Sequence, residues 1–180
     1  MIEITYKRAE SIEELEQILQ LQQVNTLTSI SDKERTQEGF VTVQHSFRTL
    51  KAMNDQCPHI IAKNNQKVVG YTLCMLKEFK EDIEVLKPMF KNIDNCLKQN
   101  EAYVVMGQVC IDKAFRKQGV FRGLYNFMKK QLHTAYDLIV TEVDIANSRS
   151  LNAHYAIGFK ILYSYRSNNQ DWNILYLDLK

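Results

Sequence analysis

The sequence predicts one domain over residues 1–180, of mixed α/β class, with a mixed and mostly antiparallel sheet of about seven strands. Three observations support this prediction. A chain of 180 residues is long enough for one domain with a sizeable core. With 45% hydrophobic residues and two prolines, its composition is typical of globular proteins. Segments with the two-residue period of strands alternate with segments of helical period.

The chain opens with a predicted strand and a predicted helix. "IEITYKR" alternates apolar and polar residues, as a half-buried strand does. In "SIEELEQILQLQQ", Ile12, Leu15 and Ile18 recur at helical spacing. Ser11 and Glu14 form a capping-box pattern, which predicts that the helix begins directly after Ser11.

Residues 33–54 are predicted as a broken helix, followed by a hairpin. Phe47, Leu50 and Met53 form a short apolar stripe after the glycine-containing piece "QEGF". The next two strands are "HIIAK" and "KVVGYTLCML". The short polar connection "NNQ" between them favours antiparallel pairing.

An extra helix is predicted between residues 80 and 99, before the fourth strand. Leu86, Phe90 and Ile93 recur at helical spacing, and Pro88 suits the first turn of a helix. The fourth strand is "AYVVMGQVCI".

The second half of the chain predicts a strand, helix and strand unit and a closing hairpin. Residues 119–134 have a wide apolar helical face between "AYVVMGQVCI" and the strand "LIVTEVDI", and such a crossover usually joins parallel strands. "SRSLNAHYAI" predicts a short last helix with Gly158 near its end. "FKILYSYR" and "NILYLDL" are predicted strands around the polar loop "SNNQD".

Composition argues against several classes of protein. The net charge of +2 is too small to make nucleic acid or an anionic membrane the expected partner. No run approaches the roughly 20 apolar residues of a membrane span, and "MIEITYKRAE" lacks the apolar core of a signal peptide, so we expect a cytoplasmic protein. The four cysteines are widely spaced, and the sequence does not supply the second pair of metal ligands that a zinc site of about four ligands needs. We therefore expect free thiols and no metal site.

The stretch "FRKQGVFRGLY", residues 115–125, places basic side chains and glycines at a predicted helix start. Unpaired N–H groups and the helix dipole favour an anion there, and Gly119 would allow a phosphate to approach the backbone closely. Arg116, Lys117 and Arg122 add positive charge. The stretch alone is equally compatible with a solvated basic helix, because glycine spacing is a weak signal.

A second pattern downstream favours the phosphate interpretation. "RKQGVF" from Arg116 to Phe121 resembles the acetyl-CoA signature R/Q-x-x-G-x-G/A of the GCN5-related N-acetyltransferase (GNAT) family, and "NSRSLNAHYAIGF" resembles its later N-x-x-A/S…Y/H-x-x-x-G-F segment. The resemblance covers residues 100 to 160 and implies a GNAT-like fold with helices on both faces of the sheet. Phe121 departs from the family pattern, and we expect its ring to point into the core with Val120 and Leu124.

The resemblance also implies how acetyl-CoA would bind as cosubstrate. Backbone amides from Gln118 to Gly123 would hold the pyrophosphate. Val109 and Ile111 would pair with the pantetheine arm as an added strand does. The complete set of implied cofactor-binding residues is Val109, Cys110, Ile111, Arg116, Lys117, Gln118, Gly119, Val120, Phe121, Arg122, Gly123, Asn147 and Asn152.

Acetyl transfer to an amine needs an acceptor for the amine proton and a proton donor for the leaving thiolate. Glu142 and Asp144 share one face of a predicted strand. Glu142-Val143 resembles an "EV" pair whose glutamate is the base in some relatives, directly or through water, and burial would raise its pKa. Asp144 is expected to be structural.

The proton donor for the thiolate is expected on the last helix. His154 aligns with the tyrosine that is the family's usual acid, and Tyr155 follows it. An ordinary imidazole pKa of about 6.5, close to neutral pH, favours His154 as the acid.

The predicted function is therefore transfer of the acetyl group of acetyl-CoA to a primary amine of a small molecule or peptide, by direct attack in a ternary complex. Two alternatives stay open: a catalytically silent CoA-binding module, and a nucleic-acid binder using the basic helix at 116–130. No base is visible beside Cys110, which argues against an acyl-enzyme. The acceptor amine is expected to bind near residues 24–54, 80–99 and 167–172, whose mixed charge does not identify the substrate. A homodimer is possible from the sequence alone.

Overall fold

The computed structural model describes residues 3–26, 41 and 43–180. The strands are β1 (Thr5–Arg8), β2 (Ile60–Asn64), β3 (Lys67–Met75), β4 (Tyr103–Ile111), β5 (Leu138–Asp144), β6 (Lys160–Ser167) and β7 (Gln170–Asp178). The helices are α1 (Ile12–Gln23), α2 (Phe47–Gln56), α3 (Lys87–Cys96), α4 (Val120–Leu132) and α5 (Ser148–Tyr155). In these ranges no helix has the length and apolar character to cross a membrane.

The hydrogen-bonded order of the strands is β1-β2-β3-β4-β5-β7-β6. β4 and β5 pair in parallel, with Tyr103 opposite Leu138 and Val105 opposite Val140. The pairs β1 with β2, β2 with β3, β5 with β7 and β6 with β7 are antiparallel. The predicted mixed, mostly antiparallel sheet of seven strands is therefore confirmed, as is the parallel pairing of the strands on either side of α4.

The described residues cluster into two compact units. The first unit comprises residues 1–74 and 108–131, and the second comprises residues 75–107 and 132–180. The prediction of a single domain over the whole chain stays a prediction.

In the first unit, α1 begins as its sequence predicts. The Ser11 hydroxyl accepts a hydrogen bond from the Glu14 N–H at 3.2 Å, and the Glu14 carboxylate accepts one from the Ser11 N–H at 3.4 Å. Burial disfavours ionisation of Glu14, but the Glu10 N–H and the ammonium groups of Lys63 and Lys7 hold its pKa at about 2. The buried Glu14 carboxylate and its two lysine partners therefore link α1 to β1 and β2.

Helix α2 contributes to the same core, because it packs on α1. Leu50 and Met53 are buried, whereas the third member of the predicted stripe, Phe47, stays exposed. Part of the predicted broken helix over residues 33–54 lies outside the described residues, so only its C-terminal half can be compared.

In the second unit, the extra helix lies before β4 as predicted, but it is shorter. Two short 3-10 turns, Lys77–Glu81 and Glu84–Leu86, precede α3, and Pro88 lies in its first turn. Phe90 and Ile93 are buried, and α3 contacts β6. The helix ends at Cys96 because the backbone of the next residue is extended.

The β6–β7 hairpin closes the second unit. Asn168 and Asn169 both have positive φ angles, 51° and 60°, as a two-residue hairpin turn with the twist of the flanking strands requires. At the end of α5, Gly158 has φ 102°, and the Phe159 N–H bonds the His154 carbonyl at 3.1 Å. The left-handed glycine ends the helix and directs the chain into β6.

Candidate active site

The glycine-containing turn before α4 lies in the first unit and has an unusual backbone. Lys117 and Gly119 have φ angles of 61° and 81°, with Gln118 between them at negative φ. Such alternation is typical of anion-binding nests of main-chain N–H groups. A Cβ placed on Gly119 would meet nothing within 4 Å. The glycine is therefore needed for its backbone conformation, and the space beside it is open.

Unpaired donors follow from where α4 begins. Its first intrahelical hydrogen bond joins the Gly123 N–H to the Gly119 carbonyl at 2.9 Å, so the amides of residues 119–122 have no intrahelical acceptor. Within the described part of the chain, the amides of Gln118, Gly119 and Val120 make no other hydrogen bond. Three consecutive N–H groups are thus left for a ligand or for water. The predicted set of amides from Gln118 to Gly123 is wrong at Gly123, because its N–H is bonded to the Gly119 carbonyl.

Arg116, the first residue of the motif, uses its guanidinium inside the protein. Its Nε donates to the Ile111 carbonyl at 3.1 Å, and its Nη2 donates to Asn25 Oδ1 at 2.7 Å. These bonds tie the turn to the end of β4 and to the residues that follow α1. Lys117 and Arg122 are exposed and form no ion pair with another described residue, so they are the basic side chains available to an anion.

Phe121 does not enter the core with Val120 and Leu124 as expected. Its ring is half-buried and packs on Tyr125, one helical turn further, with ring centroids 4.9 Å apart. Packing along the helix accommodates the departure from the family pattern.

Gly123 serves packing rather than the turn. A Cβ on Gly123 would lie 2.0 Å from the hydroxyl oxygen of Tyr6 in β1. The missing side chain therefore lets Tyr6 lie directly on the first turn of α4.

Gly70 in β3 also positions this helix, although sequence reasoning missed it. A Cβ there would lie 3.2 Å from Val120 Cγ1 and 3.3 Å from the Cys110 carbonyl oxygen. Gly70 therefore allows the end of β4 and the start of α4 to lie close to β3. The signal in the sequence was a single glycine inside an apolar strand pattern, which is typical of a close backbone approach.

The end of β4 contains the residues expected to meet the pantetheine arm. Val109 and Ile111 are half-buried, whereas Cys110 is buried. Burial raises the pKa of the Cys110 thiol to about 12, so the thiol stays protonated at neutral pH. This agrees with the argument against a cysteine nucleophile.

A buried amide cluster fixes β4 to its neighbours in the first unit. Gln108 Oε1 accepts hydrogen bonds from Gln22 Nε2 at 2.9 Å and from the Tyr71 hydroxyl at 2.6 Å. Gln108 Nε2 donates to the Val43 carbonyl at 2.6 Å, and Gln22 Oε1 accepts from the His45 N–H at 3.0 Å. Glutamines 86 positions apart gave no recognisable pattern, so the sequence did not predict this cluster.

Glu142 lies in β5 of the second unit, opposite Ile174 of β7. Burial raises its pKa from 4.5 to about 7, in the predicted direction, although a hydrogen bond from the Tyr165 hydroxyl to Oε1 opposes the rise. Burial and the Glu142 carboxyl together raise the pKa of Tyr165, so the tyrosine keeps its proton. A carboxyl group with a pKa of about 7 can accept a proton at neutral pH.

The other polar candidates of this unit have structural partners. Asp144 accepts hydrogen bonds from the Ala146 N–H at 2.8 Å and from Gln170 Nε2 at 3.2 Å, so it caps the turn after β5, as expected. Asn147 is the N-cap of α5 and accepts from the Ser150 N–H at 3.1 Å. Asn152 is exposed on α5.

The two candidate acids of α5 differ sharply. His154 is 1% exposed, its Nδ1 lies 2.7 Å from the Ser150 carbonyl oxygen and its ring meets Phe159 edge-on. Burial lowers the pKa of His154 to about 4, although the Ser150 bond opposes this, so the ring is neutral at pH 7. The ordinary pKa assumed from the sequence is wrong for this site. Tyr155 is 39% exposed.

Other reactive side chains have structural surroundings. His59 is fully buried, with Nε2 3.1 Å from the Leu50 carbonyl oxygen and Nδ1 accepting from the Cys74 N–H. The four cysteines are free thiols, and the described ranges contain no group of three side chains suited to a metal ion.

The sequence matches the model of the Acetyltransferase (GNAT) family over residues 15–159. The chain therefore belongs to the GNAT family of acetyltransferases, as its two motifs predicted. No curated protein has a significantly similar sequence.

Solved structures share the fold at low sequence identity. The ribosomal-protein-S18-alanine N-acetyltransferase of Escherichia coli has a TM-score of 0.65 at 13% identity, covering 98% of this chain and 94% of that one. The NatC complex bound to Gag peptide and CoA has a TM-score of 0.68 at 19% identity, covering 99% of both chains. Salmonella typhimurium yncA, solved with its cofactor acetyl-CoA, has a TM-score of 0.64 at 12% identity, and the match covers 98% of this chain and 94% of that one.

Proposed function

We propose that this protein is an N-acetyltransferase that transfers the acetyl group of acetyl-CoA to a primary amine of a small molecule or peptide, by direct attack in a ternary complex. Family membership supports acetyl transfer in general. The observation that carries the cosubstrate is the run of unpaired amides from Gln118 to Val120 beside the open space at Gly119. Two structures of the same fold were solved with CoA or acetyl-CoA.

The first unit is assigned to cosubstrate binding. The amides of residues 118–120 and the positive end of α4 would receive the pyrophosphate, and Lys117 and Arg122 would offset its charge. Val109 and Ile111 are the candidates for hydrogen bonds to the amides of the pantetheine arm. Arg116 acts indirectly, because its bonds to Ile111 and Asn25 fix the turn.

The second unit is assigned to proton transfer. Glu142 accepts the proton of the attacking amine, directly or through a water molecule, because its raised pKa matches neutral pH. Tyr155, with an exposed side chain, is the candidate donor to the leaving thiolate. His154 is less suited to that role, because its ring is buried and neutral.

One observation favours a second candidate, a catalytically silent CoA-binding module. The position that aligns with the family's acid holds His154, whose ring is buried and hydrogen-bonded to the backbone. A silent module would bind acetyl-CoA but leave it intact in the presence of every amine.

A panel of amines with thiol release as readout distinguishes these candidates. Amino acids, polyamines, aminoglycosides and peptide N-termini are supplied with acetyl-CoA, and the best acceptor is repeated with Glu142→Gln. Amine-dependent thiol release that Glu142→Gln abolishes, without weaker CoA binding, supports the enzyme. Saturable CoA binding without release for any amine supports the silent module.

A further inference from the structure

The β5–β7–β6 part of the second unit brings Tyr165 close to the candidate base. Glu142 lies opposite Ile174, which in turn lies opposite Tyr163 of β6. Tyr165 lies opposite Trp172, two residues along β7 from Ile174. Directly opposed residues share a face of a sheet and so do residues two apart, so the two tyrosines, the tryptophan and Glu142 lie on one face.

Hydrogen bonding on this face distinguishes the two carboxylate oxygens of Glu142. The Tyr165 hydroxyl donates to Oε1. Oε2 makes no hydrogen bond to any residue that the structure describes. The Tyr165 ring is stacked on Tyr163, with centroids 6.5 Å apart and an interplanar angle of 22°. Tyr163 thus lies beside the ring whose hydroxyl group bonds the Glu142 carboxyl group.

We propose that Tyr165 is a positioning residue for acetyl transfer: its hydroxyl engages Oε1 of Glu142 and leaves Oε2 as the atom that accepts the amine proton. This inference rests on the proposed function. In the step, the amine N–H bond breaks and its proton moves to Oε2, the nitrogen lone pair forms the new C–N bond, and the C–S bond breaks with its electron pair leaving on sulfur. Tyr165 keeps its proton throughout.

Several other titratable groups share this face with Glu142 or lie beside it within this unit. Asp144 lies two residues along β5, and Tyr163 lies on β6. On β7, Ile174 and Trp172 carry no titratable group, whereas Tyr176, two residues from Ile174 on the same face, carries a phenol. Within this unit, the titratable or charged residues of the other elements paired with or contacting β5 are Tyr103 on β4 and Arg149, His154 and Tyr155 on α5; Cys110, also on β4, belongs to the first unit.

Direct titration of the Glu142 carboxyl group tests the inference without any substrate. The carboxyl carbon is followed by NMR in 13C-glutamate-labelled wild type, Tyr165→Phe and the matched control Tyr163→Phe, with Glu142→Gln assigning the signal. Loss of the hydrogen bond should raise the Glu142 midpoint by about one pH unit in Tyr165→Phe and leave it unchanged in Tyr163→Phe. Equal midpoints in all three folded proteins would overturn the proposal.

If Tyr165→Phe does not fold, the proposal can be tested on wild type labelled in the tyrosine rings. The chemical shift of Tyr165 Cζ should then change with pH as Glu142 titrates, because the two groups are hydrogen-bonded. A Cζ signal that ignores this titration would overturn the proposal.

The activity arm uses the best acceptor amine. At pH 7, Tyr165→Phe should lose about fivefold in kcat, because the ionised fraction of Glu142 falls from about one half to about one tenth. The loss should vanish above pH 9, with the Kd for CoA unchanged. An unchanged kcat at pH 7 would contradict the positioning role. If wild type acetylates no amine, the proposed function fails, while the NMR titration still decides whether Tyr165 sets the state of Glu142.

Discussion

Glu142→Gln should make the protein more stable at pH 8 while it removes the proposed acetyl transfer. The Glu142 pKa of about 7 in the folded protein, against 4.5 ordinarily, corresponds to about 3 kcal/mol. Because the folded pKa is raised, the stability gained from protonated Glu142 is fully present below about pH 4.5. It is lost as the pH rises through about 7. Glutamine has the same shape, accepts the Tyr165 bond and never ionises.

Urea unfolding at pH 4.5 and pH 8, followed by the fluorescence of the single tryptophan, Trp172, measures this effect. Relative to wild type, Glu142→Gln should be close in stability at pH 4.5 and more stable by up to about 3 kcal/mol at pH 8. The exposed control Glu16→Gln should show no such pH dependence. If the difference in unfolding free energy between Glu142→Gln and wild type does not grow from pH 4.5 to pH 8, ionisation of Glu142 does not destabilise the folded protein. Its assignment as a base with a pKa near neutral pH then fails.

Three further predictions concern the cosubstrate turn, the acid and the packing of α4. Gly119→Val should weaken acetyl-CoA binding about tenfold or more, because a β-branched residue disfavours φ 81° and fills the open space; calorimetry measures the change. Tyr155→Phe should lower kcat about tenfold to a hundredfold with an unchanged melting temperature, whereas His154→Phe should mainly lower the melting temperature; the reverse pattern would restore the histidine as the acid. Gly123→Ala should cost about 1–3 kcal/mol in urea unfolding, and the double variant with Tyr6→Ala should lose less than the sum of the single variants, whereas simple additivity would contradict the contact.

The order of the elements and the glycine-containing turn could be predicted because both depend on residues that are close together in the sequence. Hydrophobic period distinguishes strands from helices, and the unpaired amides near Gly119 follow from where one helix begins. The limits of α3 were less accessible. The pattern predicted one helix between residues 80 and 99, but the backbone is extended at Leu97, and the residues before α3 form two 3-10 turns rather than part of one continuous helix.

Partners distant in the chain could not be predicted. Tyr165 and Glu142 are 23 residues apart, and they meet only because β7 lies between β5 and β6. The sequence likewise predicted a basic side chain at Arg116 but not that it would bond Ile111 and Asn25. A residue type gives the chemistry of a side chain, whereas its partner and its pKa depend on what the rest of the fold places beside it.

The binding of CoA at the turn before α4 can be tested most directly by amide NMR. In a titration of 15N-labelled protein with CoA, we expect saturable shifts that are largest for the amides of Gln118, Gly119 and Val120, because these three N–H groups would gain a phosphate acceptor. Saturable binding that leaves those three signals in place, or no binding at millimolar CoA, would contradict the assignment of this turn and the enzyme built on it.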